Sequence, residues 1–239
     1  MQKSDSKNLL RRMLDVPSLL KLRYARNYGW RYSEIAGFKL IDGWLLDSEA
    51  NKLFDIASSL PGPSPIVAEL GSWVGKSSVV LSHALKGRGK LYCIDPFNAA
   101  GEDESLDDYQ ARQNRYSQSL RETFQGNLAK YGRPEVVEFR QAYSYEIAPT
   151  WKEPLDFIFI DASHDYDSVL QDYLQWSPLI KVGGFIAFHD IRLLKPSLEL
   201  SGPGKVVKDH IVGNDCWSDL ALSGSLYSAR KQKDLPAAH

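Results

Sequence analysis

Two short stretches carry the side chains best suited to chemistry. Asp161-Ala162-Ser163-His164 follows the apolar run Phe157-Ile158-Phe159-Ile160, and His189-Asp190 follows Phe185-Ile186-Ala187-Phe188. Both runs read as strands covered on two faces. Two carboxylates, Asp161 and Asp190, suit Mg²⁺ together with water, and His189 between them shifts preference toward Mn²⁺, Fe²⁺ or Zn²⁺. Such an ion can bind a hydroxyl and lower its pKa. His164, with an ordinary imidazole pKa of about 6.5, can take the released proton at neutral pH. Asp161, His189 and Asp190 are therefore candidate metal ligands, and His164 with Asp161 the candidate catalytic pair. Helix caps, loop anchors and a hydrogen-bonded structural histidine use the same residue types, and that reading stays open.

A second constellation surrounds the first strand. Glu69-Leu70-Gly71-Ser72-Trp73-Val74-Gly75-Lys76-Ser77-Ser78 lies between Ile66–Leu70, read as a strand, and a helical pattern over 77–85. Backbone N–H groups at such a helix start can meet a ligand. A phosphate-cradling loop needs GxxxxGK[ST], but Leu70 stands where the first glycine belongs. The dinucleotide pattern GxGxxG fails because Trp73 occupies its second glycine. The spacing acidic-x-Gly-x-x-x-Gly resembles the first motif of class I S-adenosylmethionine (SAM) methyltransferases. Gly71 and Gly75 let backbone approach a ligand without a Cβ, and Glu69 could attract the amino group of the methionine moiety. Asp95, closing the strand read over Leu91–Ile94, could accept both ribose hydroxyls. The expected cofactor set is Glu69, Gly71, Ser72, Gly75, Ser77, Asp95, Phe97, Ser144, Tyr145 and Asp161, with the adenine contacts assigned to Ser144 and Tyr145. A tight turn, a helix cap and core packing of Phe97 are the plain alternatives.

The elements that must position these residues alternate. Strands at 66–70, 91–94, 136–139, 157–160 and 185–188 are separated by helices, among them one whose apolar face is Tyr166, Val169, Leu170, Tyr173 and Leu174. This alternation predicts an α/β, doubly wound, mostly parallel sheet with ligands at the carboxyl ends of its strands. Strands four and five are expected side by side, which brings Asp161, His164, His189 and Asp190 to one edge. Residues 1–64 read as an N-terminal helical cap ending in the breaker Pro61-Gly62-Pro63, 65–230 as the catalytic domain, and 231–239 as a polar tail. The 98–131 insertion reads as a surface helix or a lid. Residues 192–212 read as a loop, and 217–229 as an antiparallel hairpin around Gly224.

From Phe157 to Asp190 the chain also resembles bacterial O-methyltransferases of the macrocin and cephalosporin-biosynthesis type and, more remotely, catechol O-methyltransferases. The resemblance covers roughly residues 64–192. It implies a seven-stranded Rossmann-like methyltransferase sheet with a C-terminal antiparallel pair, SAM as methyl donor, and a hydroxyl acceptor on a small molecule or glycan. It also implies a divalent cation, Mg²⁺ or another, held by Asp161 and the pair His189-Asp190. His189 departs from the two oxygen ligands usual in that pair, and His164 stands where the catechol enzymes have a lysine base. A catalytically silent SAM-binding scaffold is the competing expectation.

Composition narrows the partners. The 239 residues carry 29 Lys and Arg against 30 Asp and Glu, a net charge of -1, which argues against coating nucleic acid or an anionic membrane. Cys93 and Cys216 have no metal or disulfide spacing, and no apolar run reaches membrane-span length. A cytoplasmic protein with reduced thiols, pairing as a homodimer through its N-terminal segment, is the expectation.

Overall fold

The computed structural model describes residues 16–99, 106–195, 197 and 199–235. In chain order these residues form α1 (Val16–Tyr28), a run of 3-10 turns (Trp30–Leu40), α2 (Asp47–Ser59), β1 (Ile66–Leu70), α3 (Lys76–Ala84), β2 (Lys90–Ile94), α4 (Leu106–Gln113) and α5 (Leu120–Tyr131). There follow β3 (Val137–Arg140), α6 (Ser144–Ile147), β4 (Leu155–Ile160), α7 (Tyr166–Trp176), β5 (Ile180–Phe188), β6 (Leu193–Leu194), β7 (Glu199–Leu200), α8 (Gly202–His210), β8 (Trp217–Ser223) and β9 (Leu226–Lys231). Residues 100–105 of the expected insertion lie outside the described residues, as do the first 15 residues of the expected cap and the last four of the expected tail.

Seven strands form one sheet in the order β3-β2-β1-β4-β5-β9-β8. β1 to β5 pair in parallel, and β9 joins β5 antiparallel. Burial explains the strand sequences. All six residues of β4 are buried, because helices cover both faces and leave no side of the strand to water. Chain order reverses between β1 and β4, and this topological switch point opens a crevice at the carboxyl ends of the two strands.

The N-terminal segment is built into the fold. Ile35, Phe38, Leu53 and Phe54 belong to the same buried cluster as Val67, Val80 and Leu91. On the opposite face Trp176 packs with Trp151, Ile158 and Ile186. The stretch expected to be a loop at 192–212 instead holds a short β6–β7 pair and α8. Ser201 caps that helix by accepting from Gly204 N, Pro203 sits in its first turn, and Val206 and Val207 are buried on its inner face. Two glycines near the start of this segment weaken any helical pattern in the sequence.

Candidate active site

Gly71 ends β1 in a backbone conformation with φ of 83°, open to glycine and strained for other residues. A Cβ there would lie 2.2 Å from the carbonyl oxygen of Asp161. The glycine thus lets the β1 and β4 ends close on each other as well as baring backbone to a ligand. Asp95 fixes the next turn. Its Oδ2 accepts from Ser72 N and Trp73 N, each at 2.8 Å, and its Oδ1 from Phe97 N at 2.6 Å. Burial pushes the Asp95 carboxyl up, and these three bonds only partly oppose it.

The loops around this turn enclose a cavity of about 670 Å³. Of the expected cofactor residues, Gly71, Ser72, Ser77, Asp95, Ser144, Tyr145 and Asp161 line it. Glu69, Phe97 and Gly75 are not among its lining residues. Glu69 is wholly buried, with Oε2 accepting from Ser72 Oγ at 2.8 Å and from Ser78 Oγ, so it braces the turn from beneath. Phe97 packs on Phe124 with ring centroids 5.3 Å apart and is a core residue. Gly75 starts α3 at a φ of 90°, where its missing Cβ makes room for Phe124.

The acid–histidine constellation meets at the same cavity. Asp161, His164, His189 and Asp190 all line it. His164 Nε2 lies 2.7 Å from Asp190 Oδ2. Burial acts to raise the Asp190 carboxyl, but bonding to His164 and His189 holds it well below the usual range. An ionised carboxylate only accepts, so Nε2 carries the proton in that contact, and Nδ1 is the basic nitrogen of the neutral ring. Asp190 also adopts a left-handed φ of 57°, which re-aims its carboxylate as the chain leaves β5.

His189 is 3% exposed and has carboxylates on both sides. Nδ1 lies 3.1 Å from Asp161 Oδ1 and 3.4 Å from Asp190 Oδ2, and Nε2 lies 3.1 Å from Glu49 Oε2. Burial alone would lower its pKa, yet these anions hold it far above the ordinary histidine value. The Asp161 carboxyl is also pushed up, by burial against the pull of His189. Ligand atoms of Asp161, His189 and Asp190 lie within 4.8 Å of one another.

Three groups outside the expected site residues join the site. Glu49 comes from α2, and Asp42 to Leu45 of the same N-terminal region line the cavity mouth. Asp42 accepts from Arg112 Nη1 and Tyr116 Oη, each at 2.9 Å, and Arg112 covers the Trp44 ring at 4.0 Å, tying the insertion to that mouth. Asp172 of α7 is buried in the cavity wall beside Ser144.

Comparison with known proteins fits this geometry. The chain is 24% identical over 138 residues to an uncharacterized protein, R132, of Acanthamoeba polyphaga mimivirus, a match covering 58% of this chain and 57% of that relative. Its fold is similar to the O-methyltransferase TomG of Streptomyces achromogenes, solved with SAM (16% identity, TM-score 0.58, 98% of this chain and 100% of that one). It is also similar to cofactor-bound Rv0187 from MTB (14% identity, TM-score 0.60, 93% and 100%) and to the O-methyltransferase NovP (17% identity, TM-score 0.54, 78% and 80%). A family model described as a methyltransferase domain matches residues 68–191, just over half of the 239. The chain therefore belongs to the methyltransferase-domain family.

Proposed function

We propose that the protein methylates a hydroxyl oxygen on a small molecule or glycan, assisted by a divalent cation. The observation that carries this reading is the His164–Asp190 pair, 2.7 Å apart, beside Asp161 and His189 in the SAM cavity. The cavity, at about 670 Å³, lies within the roughly 300–1,000 Å³ of small-ligand sites.

The donor set fits a cation. Asp161, His189 and Asp190 converge, and the second nitrogen of His189 is bound to the Glu49 carboxylate, the arrangement in which a metal-ligating histidine is usually held. Those three residues would hold the ion, which supplies a Lewis acid that makes an acceptor hydroxyl more acidic.

The chain's own residues supply the rest. His164 takes the hydroxyl proton on Nδ1, while Asp190 holds the ring at Nε2 and stabilises the imidazolium that results. The acceptor oxygen bonds to the methyl carbon as the sulfur–methyl bond breaks, and that electron pair stays on sulfur. Gly71, Ser72 and Asp95 hold the cofactor's methionine and ribose portions, and Ser144 with Tyr145 flank its adenine.

The test is methyl transfer from labelled SAM to a panel of alcohols, phenols and sugars, with and without EDTA. Transfer to oxygen that EDTA abolishes and Mg²⁺ or Mn²⁺ restores is expected. Transfer only to nitrogen or carbon would refute the hydroxyl reading, and transfer indifferent to EDTA the metal one. SAM binding with no transfer to any acceptor would favour a scaffold.

A further inference from the structure

The carboxylate behind His189 comes from the N-terminal segment, about 140 residues away in sequence. Glu49 is 1% exposed. Its Oε2 accepts from Leu46 N at 2.7 Å and faces His189 Nε2 at 3.1 Å. Its Oε1 accepts from Ser225 N at 2.7 Å and Ser225 Oγ at 2.8 Å. Four donors therefore occupy the roughly four acceptor sites of one ionised carboxylate. The β8–β9 turn is shaped around it, since a Cβ on Gly224 would lie 2.5 Å from Oε1.

Such saturation leaves the carboxylate no freedom to turn, and an acceptor-only partner keeps a proton on His189 Nε2 whether or not Nδ1 also carries one. Nδ1 is then directed at Asp161 and Asp190. We infer that Glu49 is a positioning residue of the active site, through which helix α2 orients His189 for the Asp161–His189–Asp190 cluster. The inference rests on the metal reading above. It makes the N-terminal segment part of the catalytic apparatus, where the sequence suggested an appended cap.

A plain anchoring role for Glu49 would rest on its bonds to Ser225, so two variants separate the roles. Glu49→Gln replaces one acceptor oxygen by an NH₂ donor and cannot serve all four partners. Ser225→Ala removes one anchoring bond and the longer 3.5 Å contact of Ser225 Oγ with His189 Nε2, and leaves the 3.1 Å Glu49–His189 contact. Mn²⁺ affinity of the full chain is measured by calorimetry, and the protonation and hydrogen bonding of the His189 ring by ¹⁵N imidazole NMR of the metal-free protein. Glu49→Gln is expected to weaken Mn²⁺ binding roughly 10–100-fold and to move the His189 ¹⁵N resonances, with SAM affinity kept. Ser225→Ala is expected to leave both readouts near wild type. Unchanged Mn²⁺ affinity and ¹⁵N shifts in Glu49→Gln, or equal losses in both variants, would overturn the inference. A wild-type protein that binds no Mn²⁺ overturns the metal reading instead, and the ¹⁵N shifts then decide the role of Glu49. If Glu49→Gln fails to fold, Glu49→Asp, which keeps the charge and draws it back from His189, is judged by the same readouts.

Discussion

Asp172 offers a quantitative probe of the cavity wall. It is 4% exposed, with Oδ1 accepting from Ser144 Oγ at 2.5 Å. Burial, reinforced by Asp165 and opposed by Ser144, raises its carboxyl from 3.8 to about 6. The native state thus binds this proton more tightly than the unfolded chain does. Relative to a neutral side chain, Asp172 costs nothing below its unfolded pKa, and its ionisation destabilises the fold progressively up to about pH 6. A shift of roughly two units corresponds to about 3 kcal/mol at about pH 7.5, but only about 1 kcal/mol at about pH 4.5. Asp172→Asn keeps an acceptor for Ser144 and removes the charge. Thermal unfolding of the ligand-free variant should rise by about 6–12 °C at about pH 7.5, and by about a third of that at about pH 4.5. A gain independent of pH, or no gain at neutral pH, would refute a buried carboxyl held out of water at this wall.

Two glycines give steric tests. Gly71→Ala puts a Cβ against the Asp161 carbonyl in a left-handed backbone. It should cost at least about 1–2 kcal/mol and weaken SAM binding more than tenfold, as read by denaturant unfolding and calorimetry; near-wild-type values would contradict the packing. Gly202 starts α8 where a Cβ would lie 2.2 Å from the carbonyl oxygen of His164. Gly202→Ala should displace the His164 loop and lower turnover by about 10²-fold, with SAM affinity within a few-fold of wild type. Steady-state kinetics with both values unchanged would exclude that contact as the support of His164.

The parallel strands were legible because burial on both faces writes apolar runs such as Phe157-Ile158-Phe159-Ile160 into the sequence. The meeting of Gly71, Asp161 and His189-Asp190 at one cavity was legible because strand ends of a doubly wound sheet face one crevice. Long-range partners left no such trace. Glu49 reads as one acid in an amphipathic helix, and nothing in its neighbours announces His189. Glu69 shows why motif spacing overreaches: an acid at the end of β1 can face the ligand or brace the turn, and serine hydroxyls at positions 72 and 78 draw it beneath. Lys231 read as the first residue of a polar tail, yet it ends β9 only 1% exposed, its ammonium donating to the carbonyls of Ser177, Pro178 and Ile180. Alternation along a strand does not reveal a charge that snorkels into backbone acceptors.

In the proposed reaction His164, held by Asp190, removes a hydroxyl proton during methyl transfer in this cavity. Its most direct test is single-turnover transfer from labelled SAM to a hydroxyl acceptor, comparing wild type with His164→Ala, with SAM affinity measured in parallel. The account predicts that the rate falls by about 10²–10⁴-fold while SAM affinity stays within a few-fold. A variant that transfers methyl to oxygen at the wild-type rate would contradict it.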